Sequence, residues 1–297
     1  MAKQELKFLP ATVEDVSDEW LAAALKVPRL RIKSIKQIGE DYGFASKLIK
    51  IRFEFEGAIQ TVIAKLWSTD TVGDKEVSFY QLFNQMGSRI PHCFFAQSDS
   101  ETKRGILLLE EISGATQGDV LKHANLYQAK SLAANLAHLH AAFLKVEKKN
   151  EPVWISKWSD KIRSAGWIQA RRKTFLERFP THLSEISMNL LHSLEDAYPL
   201  AVRNLSRYPT TLLHGDFHLD NILFKNDNEA VLLDWSDPIW GPAELNLATL
   251  LFEMGHLDDF NLILDSYLMA FNQLAPKTAS KSAAMEPLHR SEEHTSE

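Results

Sequence analysis

The 297-residue chain contains one cysteine, Cys93. A single thiol can form no disulfide within the chain and supplies no thiolate cluster, which excludes a disulfide-stapled secreted fold and a cysteine zinc site. Positive charge is also scarce: 33 Lys and Arg stand against 39 Asp and Glu, a net charge of −6. General affinity for nucleic acid or for an anionic membrane needs a basic surface, so neither partner is expected. No apolar run is long enough to span a bilayer, and Met1-Ala-Lys-Gln-Glu-Leu-Lys7 lacks the apolar core of a secretory leader. These absences lead to the expectation of a soluble, cytoplasmic protein. Internal repeats and low-complexity linkers are missing too, and the 45% hydrophobic content suffices for one large domain or two lobes.

Residues 16–27 carry Trp20, Leu21, Ala24 and Leu25 at helical spacing, behind Ser17 as an N-cap and ahead of Pro28. Residues 32–39 and 47–55 read as strands. In the second, Ile49, Ile51, Phe53 and Phe55 alternate with Leu48, Lys50, Arg52 and Glu54, as in a half-buried antiparallel strand. Between them, Gly39-Glu-Asp-Tyr-Gly-Phe-Ala-Ser46 has two glycines that would let its backbone approach a phosphate, although an ordinary hairpin turn would use them as well. Residues 58–66 form a third strand, interrupted near its end by Lys65. An inward ammonium needs a carboxylate or a phosphate, and Glu76, at the start of a helix with Val77, Tyr80, Leu82 and Phe83, is the candidate partner. The plain alternative is a lysine at a strand edge in water.

Residues 106–109 read as a buried strand running into Glu110-Glu-Ile-Ser-Gly114, a natural lobe boundary. An amphipathic helix follows over residues 126–144, with Leu132, Ala133, Leu136, Leu139, His140 and Phe143 on one side. His138 and His140 lie two apart on it and cannot share a metal, so packing and a local hydrogen bond account for His140 better. Trp154, Trp158 and Trp167 fall in a basic, aromatic segment, where an aromatic box for a cation competes with a core stripe at i, i+4. Helical pattern continues through Leu190, Leu191 and Leu194, and further helices are expected over residues 243–254 and 259–274. The final Arg290-Ser-Glu-Glu-His-Thr-Ser-Glu297 is unpatterned and matches the translation of a common sequencing adapter, so it is left out of the fold, and residues 277–297 are expected to be a disordered tail.

The chemistry concentrates in Thr211-Leu-Leu-His-Gly-Asp-Phe-His-Leu-Asp-Asn-Ile-Leu-Phe224 and Ala230-Val-Leu-Leu-Asp-Trp-Ser236. A loop, then a hairpin turning at residues 226–228, would let Asp216, Asn221 and Asp234 converge. Oxygen donors of this kind suit Mg²⁺, which takes one or two carboxylates and leaves its other positions to water and phosphate. If Asn221 and Asp234 hold the metal, Asp216 is free to orient or deprotonate a hydroxyl.

The whole order, from strand, glycine loop and lysine strand to the His-Gly-Asp loop and closing aspartate, resembles the protein-kinase-like fold. It is most similar to the aminoglycoside phosphotransferase and choline kinase branch. His214-Gly-Asp-Phe-His-Leu-Asp-Asn221 resembles that family's catalytic loop, and Val231-Leu-Leu-Asp-Trp235 its metal-binding strand end. The resemblance covers residues 32–274. It implies an α+β, two-lobed fold: an N-terminal nucleotide-binding lobe of antiparallel sheet plus helices over residues 1–112, and a larger, mainly helical catalytic and substrate-binding lobe over residues 113–276. It also implies an ATP-dependent phosphotransferase acting on a small-molecule hydroxyl, with GTP left open as donor. Asp216 would be the catalytic base, and Asn221 and Asp234 the Mg²⁺ ligands. Lys65 would contact the phosphates and be held by Glu76, the loop with Gly39, Gly43 and Ser46 would cover them, and Leu109, Glu110 and Ile112 would form the adenine hinge. One departure is Asn246, where the family carries aspartate; an acceptor is kept and a charge lost, so weakened loop support is expected.

Two other readings remain. A metallophosphoesterase is suggested by Asp216-Phe-His218 with His214 and Asp220, but its further Asp, Asn-His and His motifs are not found. A nucleotide-binding pseudokinase without turnover is hinted at by Asn246. Asp220, Asp237, Glu244, Glu253, Asp258 and Asp259 lie near the motif, which would favour a cationic acceptor if several line the cleft. The oligomeric state is not legible.

Overall fold

The computed structural model describes residues 6–39, 46–67, 72–84, 89–144, 150–179, 183–226, 229–254 and 257–274. Gly43 and the tail over residues 277–297 lie outside them. Helix α1 (Asp18–Leu25) starts where expected, because Ser17 Oγ accepts the Trp20 N–H at 3.1 Å. An antiparallel sheet follows, built from β1 (Arg31–Ile38), β2 (Lys47–Phe55), β3 (Ala58–Trp67), β4 (Cys93–Asp99) and β5 (Arg104–Glu110) in the order β1-β2-β3-β5-β4.

Side chains alternate across this sheet, and the alternation separates two apolar cores. Ile49, Ile51, Val62, Ala64, Ile106 and Leu108 pack with Trp20 and Leu21 of α1. On the opposite face, Trp67, Leu107 and Leu109 pack with Val77, Phe79 and Tyr80 of α2 (Val72–Phe83). The run Ile106 to Leu109 is apolar throughout because it serves both cores. The same parity sends Lys65, two residues before Trp67, to the α2 side.

Helix α2 begins four residues before Glu76, so that residue lies in its second turn rather than at its start. Leu82, expected on the apolar face, is 56% exposed, and Phe79 holds the buried place instead.

Helix α3 (Leu126–Phe143) is the axis of the remaining chain, opened by a capping box between Asn125 and Gln128. Of the helices that follow, α4 (Ala165–Arg178) and α5 (Glu185–Leu205) pack against each other, and α6 (Glu244–Met254) and α7 (Phe260–Leu274) pack against α3. Two small sheets carry the motif: β6 (Ala115–Gln117) with β9 (Ile222–Lys225) and β10 (Glu229–Leu232), and β7 (Ser156–Lys157) with β8 (Thr210–Leu213) and β11 (Ile239–Pro242). The β9–β10 hairpin is the expected one, and α3 holds it at both polar groups of Ala230: Asn135 donates to its carbonyl, and Ser131 Oγ accepts its N–H at 3.0 Å. Trp154 and Trp158 are not a helical stripe, since Trp154 lies in a turn, β7 comes between them, and Trp158 opens a short 3₁₀ segment (Trp158–Lys161). Among the described residues no helix is long and apolar enough to cross a membrane.

The two parts of the chain meet at a buried aromatic stack. The ring of Phe79 in α2 lies 4.1 Å from that of Trp235, at 5° between planes, and both side chains are fully buried. Replacing Phe79 by alanine should lower the unfolding free energy by roughly 3–5 kcal/mol in urea titrations, and a loss below about 1 kcal/mol would contradict this packing role.

Candidate active site

Lys65 is 8% exposed, and burying its ammonium is tolerable because two carboxylates meet it. Its Nζ lies 2.7 Å from Glu76 Oε2 and 3.2 Å from Asp234 Oδ1. Sheet parity delivers the lysine, the second turn of α2 delivers Glu76, and Asp234 arrives just past β10 with a left-handed backbone, φ 55°. Burial alone would draw the proton off Lys65; the charges of Glu76 and then Asp234 reverse that, so its pKa ends raised and the ammonium stays charged. Burial pushes Asp234 up, but the charge of Lys65 and hydrogen bonds from Ser236 and Lys65 together bring it below its ordinary value. Burial pushes Glu76 up to about 6 against the pull of Lys65.

The His214 to Asn221 loop leaves β8 through Gly215, at φ 81°, where an added Cβ would come within 1.7 Å of the Asp237 carbonyl oxygen. Only glycine fits that contact. His214 is buried, and its Nε2 lies 2.6 Å from the Leu233 carbonyl, tying the loop to the strand end before Asp234. Asn221 makes a second tie, its carbonyl accepting the Leu233 N–H at 2.8 Å. The Asn221 amide donates to Asp216 O at 3.0 Å and Oδ2 at 3.3 Å, and its nitrogen lies 2.9 Å from His218 Nε2. Asp216, 56% exposed, is thus held by a neutral neighbour and turned toward solvent.

These groups line one cleft of about 580 Å³. Gly39, Lys65, Glu76, Leu109, Glu110, Ile112, Asp216, Asn221 and Asp234 all contribute to its wall, whereas Ser46 does not. Residues not assigned to the site from the sequence complete it: Ile38, Leu48 and Ile63 from the sheet, Leu223 and Leu233 from the hairpin, with Tyr80 and Gln117; His218, weighed above only for a phosphoesterase, lines it too. Ile63 was recoverable, since it shares the face of Lys65 two residues away. The donor chemistry fits a hard cation: with the Asn221 hydrogens engaged, its carbonyl oxygen remains, and Asp234 adds a carboxylate. Among the described residues no group of three or more His, Cys, Asp or Glu could hold a metal, and the buried His214 points its Nε2 at a carbonyl. The described residues therefore form no histidine-rich phosphoesterase centre.

The model of the phosphotransferase enzyme family matches residues 34–275. This chain belongs to that family. No curated protein matches it. Among solved structures, the phosphotransferase is similar to spectinomycin phosphotransferase APH(9)-Ia in complex with ADP and spectinomycin, at TM-score 0.55 and 17% identity over 85% of this chain and 80% of that one. It is similar to APH(2'')-IIa in a ternary complex with streptomycin and ATP, at 0.53 and 17% over 90% and 89%. It is also similar to macrolide 2'-phosphotransferase MphH from Brachybacterium faecium, at 0.53 and 18% over 84% and 80%. At these identities the likeness is one of fold.

The carboxylates expected to draw a cationic acceptor are dispersed in this phosphotransferase. Asp220 lines the cleft, but Asp237 is engaged by Lys75 Nζ at 3.3 Å and by Lys161. Glu244 faces a separate small pocket, and Glu253 accepts the Leu219 N–H at 3.3 Å. The Trp167 ring is already met by cations of this chain, the guanidinium carbons of Arg163 and Arg171 lying 5.4 and 5.3 Å from its centroid.

Lys65→Met leaves Glu76 and Asp234 facing each other without a counter-charge, and should cost roughly 3–5 kcal/mol of stability at pH 7. A carboxyl whose pKa is raised by folding loses stability as pH rises between its unfolded and folded values, so protonation should relieve the variant on acidification. Urea titrations at pH 7 and pH 5 should show the smaller deficit at pH 5; equal deficits would contradict the carboxylate pairing.

Proposed function

We propose that this phosphotransferase moves the γ-phosphate of ATP to a hydroxyl of a small molecule. The observation that carries the reading is the single cleft in which Lys65, Asp216, Asn221 and Asp234 meet, with Leu109 to Ile112 at its edge. Lys65, kept charged by Glu76 and Asp234, binds the donor's phosphates. Leu109, Glu110 and Ile112 seat the base, with Ile38, Leu48 and Ile63 on one side of the slot and Leu223 and Leu233 on the other. Asn221 and Asp234 would hold Mg²⁺, which when bound neutralises phosphate charge during transfer. Asp216, oriented by the Asn221 amide, accepts the acceptor's hydroxyl proton or aligns that hydroxyl for attack. On this reading residues 1–112 form the nucleotide-binding lobe and residues 113–276 the catalytic one. The lone buried Cys93 is compatible with a cytoplasmic location.

The placement of charge favours an acceptor without a cationic centre. Asp237, beside Gly215 at the base of the Asp216 loop, is held by Lys75 and Lys161 and so is not free for a cation.

ATP consumption measured with aminoglycosides, choline-like amines, neutral sugars, hydroxy acids and hydroxylated steroids tests both parts. The expected result is turnover with a neutral or anionic acceptor, with the amines inert. Asp216→Asn should lower that turnover by roughly 10²–10⁴-fold while nucleotide binding is retained. Unchanged turnover in the variant would overturn the mechanism, and rapid phosphorylation of an amine would overturn the charge reading.

A further inference from the structure

A chain of buried polar groups runs beneath the His214 loop from α7 through α3 and α6. Tyr267 Oη lies 2.9 Å from His140 Nδ1; His140 Nε2 lies 3.4 Å from Asn246 Oδ1; and the same oxygen accepts the His214 backbone N–H at 3.3 Å. His140, Asn246, Tyr267 and His214 are each 5% exposed or less. His140 is joined to the catalytic segment a second time, since its carbonyl accepts Thr211 Oγ1 at 2.8 Å at the start of β8.

The direction of every bond follows from one fixed donor. A backbone N–H can only donate, so the Asn246 atom facing His214 is its oxygen. That oxygen also faces His140 Nε2, which must then carry a hydrogen. In a neutral imidazole the lone pair falls on Nδ1, so the Tyr267 hydroxyl donates to it. Tyr267 to His140 to Asn246 is thus a one-way chain ending on an oxygen that the loop's own N–H shares.

Aspartate at position 246, the residue expected from the family resemblance, would change this arrangement. A buried carboxylate beside His140 draws a second proton onto the ring, and Tyr267 must then reverse and accept. Asparagine supplies the same acceptor without that charge. We infer that Tyr267 and His140 are positioning residues which hold the His214 to Asp216 loop through Asn246, and that asparagine at 246 keeps their hydrogen-bond chain uncharged. The role in turnover rests on the phosphotransfer reading above; the hydrogen-bond chain does not.

The surroundings agree. Burial pulls His140 down to about 4, only partly opposed by its bond to Asn246, so the ring is neutral at physiological pH. The other titratable groups on the same small pocket are Tyr208, Tyr267 and Glu244. Burial, and then the charge of Glu244, pushes the Tyr267 hydroxyl well above its ordinary range, so it keeps the proton it donates.

Nitrogen-15 NMR of the full chain tests the arrangement without any acceptor. His140 should remain the neutral Nε2–H tautomer from pH 8 to pH 5, and a ring that carries its hydrogen on Nδ1 or titrates near 6.5 would overturn the proposal. In Tyr267→Phe the His214 amide should exchange roughly fivefold faster, with the core amides of the N-terminal sheet unchanged. In Asn246→Asp, His140 should titrate above pH 7, and ATP turnover should gain a pH dependence between 6 and 8 that the wild type lacks. Unaltered His214 exchange in the first variant, or an unaltered His140 titration in the second, would overturn it. Absence of turnover in the wild type would count instead against the phosphotransfer reading, which the tautomer and exchange measurements do not need.

Discussion

A lysine ammonium with little contact to water must be matched by opposite charge, and in this chain the match is made by two separate pieces of structure. Glu76 comes from the helix packed on the sheet, and Asp234 comes from the far end of the hairpin in the other part of the molecule. Lys65 needs partners to be buried at all, and on the proposed function the same pairing would keep it charged for a phosphate, so one requirement would serve stability and function together. The stacked Phe79 and Trp235, one three residues after Glu76 and the other next to Asp234, hold the two carboxylates in range. The cleft is thus where the sheet and the helical region are forced to meet, rather than a surface feature added to a finished fold.

The opposite wall depends on a different constraint. Asp216 is exposed, so burial does not fix it, and its position comes from a backbone that has few alternatives. Gly215 lies against the Asp237 carbonyl, His214 is tied to Leu233, and Asn221 is tied both to Leu233 and to Asp216. Beneath them the Asn246 oxygen takes the His214 N–H, so the loop that carries Asp216 rests on a support assembled from α3, α6 and α7.

Features governed by local periodicity were legible from the residues alone. The alternation in β2, the capped start of α1, the long α3 and the β9–β10 hairpin all follow from spacing and turn chemistry. The pairing of Lys65 with Glu76 was readable because the cost of burying an ammonium demands a partner. Its second partner, Asp234, was not, since a contact across 169 residues leaves no local trace. The same holds for His140, whose partners are Tyr267 and Asn246 rather than the local bond its helix seemed to call for. Trp154 and Trp158 misled for the opposite reason: a four-residue spacing means a shared face only on a helix, and the chain between them is a turn and a short strand. The loose acidic cluster near the motif also dissolved, because nearness in sequence after a loop says nothing of which side of the fold each carboxylate reaches.

On the proposed function, Lys65, held by Glu76 and Asp234, is the phosphate-binding end of a nucleotide cleft completed by Asn221. A crystal structure with Mg²⁺ and a non-hydrolysable ATP analogue tests it most directly. The predicted result has a phosphate oxygen within hydrogen-bonding distance of Lys65 Nζ, the metal bound to the Asn221 side-chain oxygen and an Asp234 carboxylate oxygen, and the base beside Leu109 to Ile112. A nucleotide seated elsewhere, or a metal that touches neither Asn221 nor Asp234, would contradict it.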